Sequence, residues 1–419
     1  MIANKYDVII AGGGTAGVAC AYTAGKLGLK TLIVEKNTFL GGSITSSLVV
    51  PAMKTSDNAI NTDFFNCFYY ELVKVNGAIT YSDGNKGWFN PELTKIVLDK
   101  MMKDVHVDVL FESSIDKIEE KLSGYIVTID SDNSALEQKG LLSHIETNFL
   151  VDGTGEGKIL EKLNCEFLEE KNSQPVNLRF IMSGVDYKTF VPWLMEFDKD
   201  RNVTTACDIE GKLYTSTAYT WDSNANWALK PLFKQAIADG VITDEDSNYF
   251  QIFSIAGAPD SIGFNCPRLL DGNLSRSEAY IQGRERILRL SLFCKKYLKG
   301  FENAYISSIA NTLGVRVSRR VKGKYVYTKD DLISGKKFET PVVISNYPID
   351  VHSDKKDGSK LEKVQEYQLP IESLMVKDNL FVIGRCLSAE FEAQAALRII
   401  PSCFSMGEGV ANYIYKLKA

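Results

Sequence analysis

With 419 residues the chain is longer than one compact core usually holds, so two domains are expected. Its 45% hydrophobic and 24% charged residues are an ordinary globular mix, which excludes disorder as the main state. The net charge of −5 argues against nucleic acid as the main partner, and no apolar run approaches the roughly 20 residues of a membrane span.

The chain enters a strand at once, without the basic segment and apolar core of a secretion leader, so a cytoplasmic location is expected. Tyr6 to Ala11 reads as a strand, Thr15 to Leu27 as a helix stopped by Gly28, and Lys30 to Glu35 as a second strand. Residues 60–75 and 91–103 have helical spacing, with Pro91 suited to a first turn. Val105 to Phe111 and Gly124 to Ile129 read as strands, Asp130 to Gly140 as a hairpin tip, and Asn148 to Asp152 as another strand. From 165 to 270 short β-like stretches alternate with aromatic segments holding Trp193, Trp221 and Trp227. Residues 275–298 and 301–313 read as helices, Val321 to Val326, Pro341 to Ile344 and Leu380 to Ile383 as strands, and Ser402 to Lys416 as a closing helix.

The first strand, helix and second strand form a βαβ unit whose turn carries G-x-G-x-x-G at Gly12, Gly14 and Gly17. Gly12 makes the turn, Gly14 admits a pyrophosphate to the backbone, and Gly17 lets helix pack on strand. The helix start at Thr15 and Ala16 offers free N–H groups and a positive dipole end to phosphates. Glu35, followed by Lys36, lies 18 residues beyond Gly17, near the ~20 expected of a carboxylate that binds a ribose. NAD and FAD share this cradle. Three further segments favour FAD: Gly41-Gly42, Val151-Asp152-Gly153-Thr154-Gly155, and the strand ending Ile383-Gly384-Arg385. Each alone reads equally as loop glycine; together and in order they point to FAD. Pro401-Ser402-Cys403 starts the last helix, and its N–H groups near Ser402 and Cys403 are assigned to the flavin pyrimidine edge, where a reduced ring carries negative charge.

The sequence resembles the "FAD-oxidored" group of FAD-dependent oxidoreductases, within the glutathione-reductase-like flavoproteins and beside fumarate reductase flavoprotein subunits. The resemblance rests on the N-terminal 60 residues, Gly-Val-Arg-Val-Ser-Arg-Arg (314–320), Tyr-Pro-Ile-Asp-Val-His (347–352), Gly-Arg-Cys-Leu-Ser-Ala (384–389) and Leu-Arg-Ile-Ile-Pro-Ser-Cys (397–403). It implies a wall beside flavin N5 built from Ser43-Ile44-Thr45-Ser46-Ser47. The family continues Ser-Ala-(Ser/Thr)-His-Glu-Ala, whereas here Phe391 stands in the histidine position; Pro370-Ile371-Glu372 also departs from the usual proline-tyrosine-arginine. No histidine lies between Gly41 and Ser56, where a related branch attaches FAD covalently, so noncovalent FAD is expected.

The expected fold is α/β: a Rossmann-like FAD-binding domain of glutathione-reductase type, formed by 1–165 and 320–419. An inserted, mostly β substrate domain takes 166–275, with a helical segment at 276–319. The expected function is hydride transfer between a small organic substrate and flavin N5. The alternatives are an NAD(P)H-fed flavin hydroxylase or reductase, and a non-catalytic flavin-binding sensor or assembly subunit. His352 is the candidate proton carrier, because an unperturbed imidazole titrates near neutrality. Arg316 and Arg398 are the candidate anchors for a substrate carboxylate, with Tyr347 and Arg385 beside them. The basic run Arg316, Arg319, Arg320, Lys322, Lys324 reads as a solvated surface or internal ion pairs. The eight cysteines include no C-x-x-C pair, which removes a redox dithiol and most metal spacings and leaves buried thiols.

Overall fold

A computed structural model describes residues 2–50, 52–131, 142, 144–169, 172–220, 228–247, 249–269, 275–352 and 359–418. The body of the expected hairpin tip, Trp221 and Trp227 lie outside the described residues.

The segment Lys5–Ala11, apolar from Val8 onward, forms β1, the helix Thr15–Lys26 is α1, and Thr31–Val34 is β2. β1 and β2 pair in parallel, Val8 opposite Thr31 and Ala11 opposite Val34. Asp108–Leu110 (β3) extends the sheet beyond β2, and Ile145–Asp152 (β4) pairs in parallel on the other side of β1. Leu380–Val382 (β5) returns from near the C-terminus to lie parallel to β4. The order β5-β4-β1-β2-β3 makes a Rossmann-like parallel core; antiparallel strands, including the hairpin 113–131, complete an eight-stranded sheet. Such strands are covered on both faces, which is why Val8–Ala11 of β1 and Leu32–Val34 of β2 are consecutive apolar residues.

A second, six-stranded antiparallel sheet is built from residues between 180 and 309. Among the described residues three helices, Tyr187–Phe197, Lys230–Ala238 and Arg276–Tyr297, lie between its strands in the chain. One expected helix is corrected here. Residues 301–313 hold the strand Tyr305–Ile309, paired with Phe180–Ser183. Gly300, at φ +87°, breaks the preceding helix Arg276–Tyr297, and pairing to a distant strand then sets the local conformation. Val321 to Val326 is also not a ladder strand. Its amides go to scattered acceptors: Val321 to Cys386, Lys322 to Glu166, Lys324 to Met375 and Tyr325 to Glu372.

A helix the sequence reading did not separate, Phe391–Leu397 (α2), precedes the closing helix Ile400–Lys418 (α3), which starts two residues earlier than expected. α3 crosses α1 in backbone contact. A Cβ on Gly407 would lie 2.1 Å from the carbonyl oxygen of Ala16, so only glycine lets the two axes approach this closely. The crossing ties the first turn of α1 to the start of α3. All eight cysteines are free thiols, five buried and three partly buried.

Candidate functional site

Three glycine-rich loops meet at the carboxyl ends of β1, β2 and β4. The Gly13 carbonyl accepts the Gly41 N–H at 2.8 Å, and the Gly153 N–H donates to the Ala11 carbonyl at 2.8 Å. Thr15 Oγ1 donates to the Gly41 carbonyl at 3.2 Å and lies 3.2 Å from Ser43 Oγ. Gly42 packs on Gly14: a Cβ there would stand 2.7 Å from the Gly14 Cα. Ala16 is 3.6 Å from where a Gly384 Cβ would be, which brings the end of β5 to the same floor. Gly12, Gly14, Thr15, Ala16, Gly17, Gly41, Gly42, Ser43, Gly153, Gly384 and, through its loop, Gly155 thus belong to one surface.

Asp152, overlooked as a site residue, organises the third loop. It is fully buried and accepts from the Thr154 amide and hydroxyl and from the Ile159 and Leu160 amides. Burial pushes its carboxyl up against the pull of these donors. Arg385 holds the same loop: its Nε donates to the Gly155 carbonyl (2.9 Å) and Nη1 to the Val315 carbonyl (2.9 Å). Thr45 and Ser46 are tied into the wall they belong to. Thr45 Oγ1 donates to the Leu40 carbonyl (2.7 Å), and Ser46 Oγ lies 2.6 Å from Thr312 Oγ1. Lys36 is exposed beyond the cradle.

Glu35 is buried at the end of β2. Its Oε2 accepts the Gly13 N–H (2.8 Å), and Oε1 accepts the amide and side chain of Asn37 (2.9 and 2.6 Å). A carboxylate oxygen has two acceptor sites, so Oε2 keeps one for a ribose hydroxyl. Glu35→Ala is expected to weaken FAD binding by roughly 1.5–3 kcal/mol, about 10- to 150-fold, through the ribose and the unhooked Gly13. Flavin titration of apoprotein measures this. Reduction of flavin that still binds should keep its rate, and a large rate loss at saturating FAD would contradict the assignment.

At the start of α3 the Cys403 N–H is already bonded to the Ile399 carbonyl at 3.0 Å. The first-turn amides without an intrahelical acceptor are those of Ile400 and Ser402, Pro401 having none. Ser402 Oγ is a buried hydroxyl with no partner among the described residues. The first-turn amides open toward the expected flavin edge are therefore those of Ile400 and Ser402, and the Cys403 amide is not among them. An open space beside Gly14, free first-turn amides and an orphaned Ser402 hydroxyl all suit a bound dinucleotide.

The three catalytic candidates converge in a second cluster. The strand Ile349–His352 carries Asp350 and His352 on one face, as alternation requires. Arg398, capping α2, donates through Nη2 to the Asp350 carbonyl (2.9 Å) and to Oδ2 (3.1 Å). His352 Nε2 lies 3.4 Å from the same Oδ2, and the Tyr347 hydroxyl reaches it at 3.4 Å. Asp350 is thus the hub that the residue-type search missed. Burial works to raise its carboxyl, but the His352 hydrogen bond and the Arg398 and Arg316 charges hold it well below the usual range. Arg316 Nη1 donates to the Pro175 carbonyl (2.7 Å) and to Asn177 Oδ1. Arg179 and Tyr249, neither anticipated, complete the cluster. Arg179 Nη1 donates to the Leu48 carbonyl (3.3 Å), joining it to the loop after Ser43–Ser47, and the Tyr249 ring stands edge-on to His352 at 6.2 Å. The neighbouring basic run is spent on ion pairs, Arg319 with Glu161, Lys322 with Glu166 and Lys324 with Asp378.

The expected neutral titration of His352 is corrected. Burial first, then the Arg316 charge, pushes its pKa down to about 3, so the imidazole is neutral and donates to Asp350. An unfolded histidine titrates near 6.5. Between that value and about 3 the unfolded chain binds a proton the folded one refuses. This contribution to stability is therefore present above pH ~6.5 and is lost as pH falls toward 3. Denaturant midpoints from pH 7.5 to 4.5 should fall less steeply in His352→Gln than in the wild type; parallel slopes would refute a neutral, buried His352.

A family profile described as FAD dependent oxidoreductase matches residues 7–415. Over 107 residues the chain is 32% identical to a putative bifunctional amine oxidase of Dictyostelium discoideum, covering 22% of this chain and 10% of that protein. Over 51 residues it is 47% identical to a dihydrolipoyl dehydrogenase of Bacillus subtilis (strain 168), covering 12% and 10%. The chain spans about one tenth of the length of these curated relatives. A flavoprotein/dehydrogenase structure from Cytophaga hutchinsonii aligns over 98% of this chain and 79% of that one, at 14% identity and a TM-score of 0.47. Among the described residues no helix is long and apolar enough to cross a membrane, and no cluster suits a metal ion.

Proposed function

The chain belongs to the FAD dependent oxidoreductase family, is an enzyme and takes FAD as its cofactor; on that premise we propose that it moves a hydride between a small anionic organic molecule and the flavin. The observation that carries the reading is the Arg398–Asp350–His352 cluster, with Arg179, within range of the Arg398 charge, bonded to the loop that follows Ser43–Ser47. Bound FAD supplies hydride acceptance or donation at N5. We assign residues 1–165 and 320–419 to the cofactor side and 166–275 to the substrate side.

The first-turn amides of α1 and the Gly12–Gly14 backbone hold the pyrophosphate, Glu35 the ribose, and Ile400 and Ser402 the pyrimidine edge. The Ser43–Ser47 segment, braced on Thr312, forms a wall of the ring site. Arg398 binds a substrate carboxylate with its remaining donors, while Asp350 fixes the guanidinium plane. His352 presents Nε2–H to Asp350 as a neutral ring. With its pKa down near 3, His352 does not store a proton at neutral pH and serves to hold Asp350 opposite Arg398.

The experiment is an anaerobic reductant screen on the purified protein, which should be yellow and release its flavin on acid precipitation. Rapid bleaching by a small organic acid supports the reading. Bleaching only by NAD(P)H, followed by oxygen-dependent hydroxylation, would replace it with the hydroxylase alternative. Flavin retained by the acid pellet would overturn noncovalent binding.

A further inference from the structure

Arg179, Arg316 and Arg398 come from three remote parts of the chain: just before the strand Phe180–Ser183, after the strand Tyr305–Ile309, and at the end of α2. They are close enough to repel one another. Arg316 is pushed down to about 9 by burial and then by the Arg398 charge, and Arg179 to about 10 by burial, with Arg398 contributing. Among the described residues Asp350 is the carboxylate that answers them, bonded to Arg398 and acting on Arg316. Tyr249 and Tyr347 stay neutral because burial pushes both phenols up, and His352 is neutral too. Among the described residues, the guanidiniums of Arg179, Arg316 and Arg398 less the Asp350 carboxylate leave a net charge of +2. Arg268 lies against the Tyr249 ring and is also within reach of the Asp350 charge.

The donors are as unbalanced as the charges. Among the described residues Arg179 bonds the Leu48 carbonyl through Nη1, and its buried Nε finds no partner there. Arg398 bonds through Nη2, its buried Nε likewise without a partner among the described residues, and Arg316 bonds through Nη1. A guanidinium carries five donors, so each keeps several for an incoming oxygen. Buried donors and buried like charges left unanswered are costly, and a ligand that answers both removes the cost. The Arg398 and Asp350 side chains keep 17% and 14% of their surface accessible, so the cluster can be reached.

We propose that the substrate is an organic dianion gripped by Arg179, Arg316 and Arg398 together, its second negative group being a carboxylate or a phosphomonoester. The inference rests on the reading of Arg398 as substrate anchor and adds the second charge and the two further arginines. One anionic group meets Arg398 beside Asp350; the other meets Arg179 and Arg316.

The test is equilibrium binding to the FAD-loaded protein, read by flavin absorbance and thermal shift at fixed ionic strength. The probes are pairs of small organic acids of equal carbon number with one or two carboxylates, a small phosphomonoester, inorganic phosphate, and neutral analogues. Dianions are expected to bind roughly tenfold or more tighter than their monoanion partners. Arg179→Gln should reduce that preference to less than about threefold while monoanion binding persists. The tighter of the dicarboxylate and the phosphomonoester identifies the second group; inorganic phosphate binding as tightly as both would show that no organic frame is read. Equal binding of mono- and dianions overturns the proposal, and the wild-type ratio decides this even where a variant fails to fold. An unchanged preference in Arg179→Gln also overturns it. Neutral analogues binding as well as monoanions would instead sink the anionic-substrate reading beneath it.

Discussion

Gly14→Val should yield a protein that folds normally and purifies colourless. Gly14 has φ −72° and ψ −173°, a conformation open to any residue. A Cβ there would meet only the Gly153 carbonyl oxygen, at an ordinary 3.7 Å. Nothing in the polypeptide itself therefore requires glycine at this position. Its neighbours differ. A Cβ on Gly17 would lie 2.0 Å from the Gly12 carbonyl oxygen, and Gly12 is left-handed at φ +95° with the Gly153 oxygen 2.7 Å from its would-be Cβ. Those two glycines serve the fold, and Gly14 serves what lies over it. A valine there fills the space the pyrophosphate needs and keeps it from the amides. Losing two hydrogen bonds to a charged acceptor, at roughly 1.5–3 kcal/mol each, lowers FAD affinity by more than about 100-fold. The 450 nm absorbance per protein, with circular dichroism and a thermal melt beside it, decides the matter. Stoichiometric flavin in a folded Gly14→Val would show that the cradle is misassigned, whereas Gly17→Val should fail to fold at all.

This contrast also shows where the sequence was informative. The βαβ unit is local: its strand, turn, helix and strand lie within about thirty residues, and the glycine spacing marks the turn even though Gly12 and Gly14 face the remote Gly153. The strand Tyr305–Ile309 was misread because its apolar positions suit helical spacing too, and its partner lies over a hundred residues away. In the site, Arg398, Arg316 and His352 stood out by residue type, but Asp350 did not, although it sits inside the quoted stretch from Tyr347 to His352. The usable signal was alternation: an extended strand puts 350 and 352 on one face. Arg179 and Tyr249 had no motif around them, because the six-stranded sheet alone carries them to the site. The depression of His352 was likewise illegible. It depends on burial and on Arg316, 36 residues away in the sequence.

Arg398→Ala should keep its flavin and lose catalysis. The side chain bonds Asp350 at both its carbonyl and its carboxylate and makes no contact with Glu35 or the Gly12–Gly17 turn, so cofactor content should be unchanged. Two effects then add at the substrate. The anchor for one anionic group disappears, and Asp350 loses the cation that fixes it opposite His352 and Tyr347. Truncating one partner of a buried, hydrogen-bonded charge pair costs roughly 2–5 kcal/mol, so kcat/KM should fall by about 30- to several thousand-fold with whichever donor the reductant screen identifies. Arg398→Lys should restore little, because an ammonium cannot hold a carboxylate and the Asp350 oxygens in one plane. The loss should appear in the substrate-dependent reduction step and leave dithionite reduction of the flavin unaffected. Near wild-type kcat/KM in Arg398→Ala would place the substrate elsewhere. Loss of flavin in the same variant would make Arg398 a support of the cofactor site, and the Arg398–Asp350 pair would then be a strut between α2 and the strand Ile349–His352.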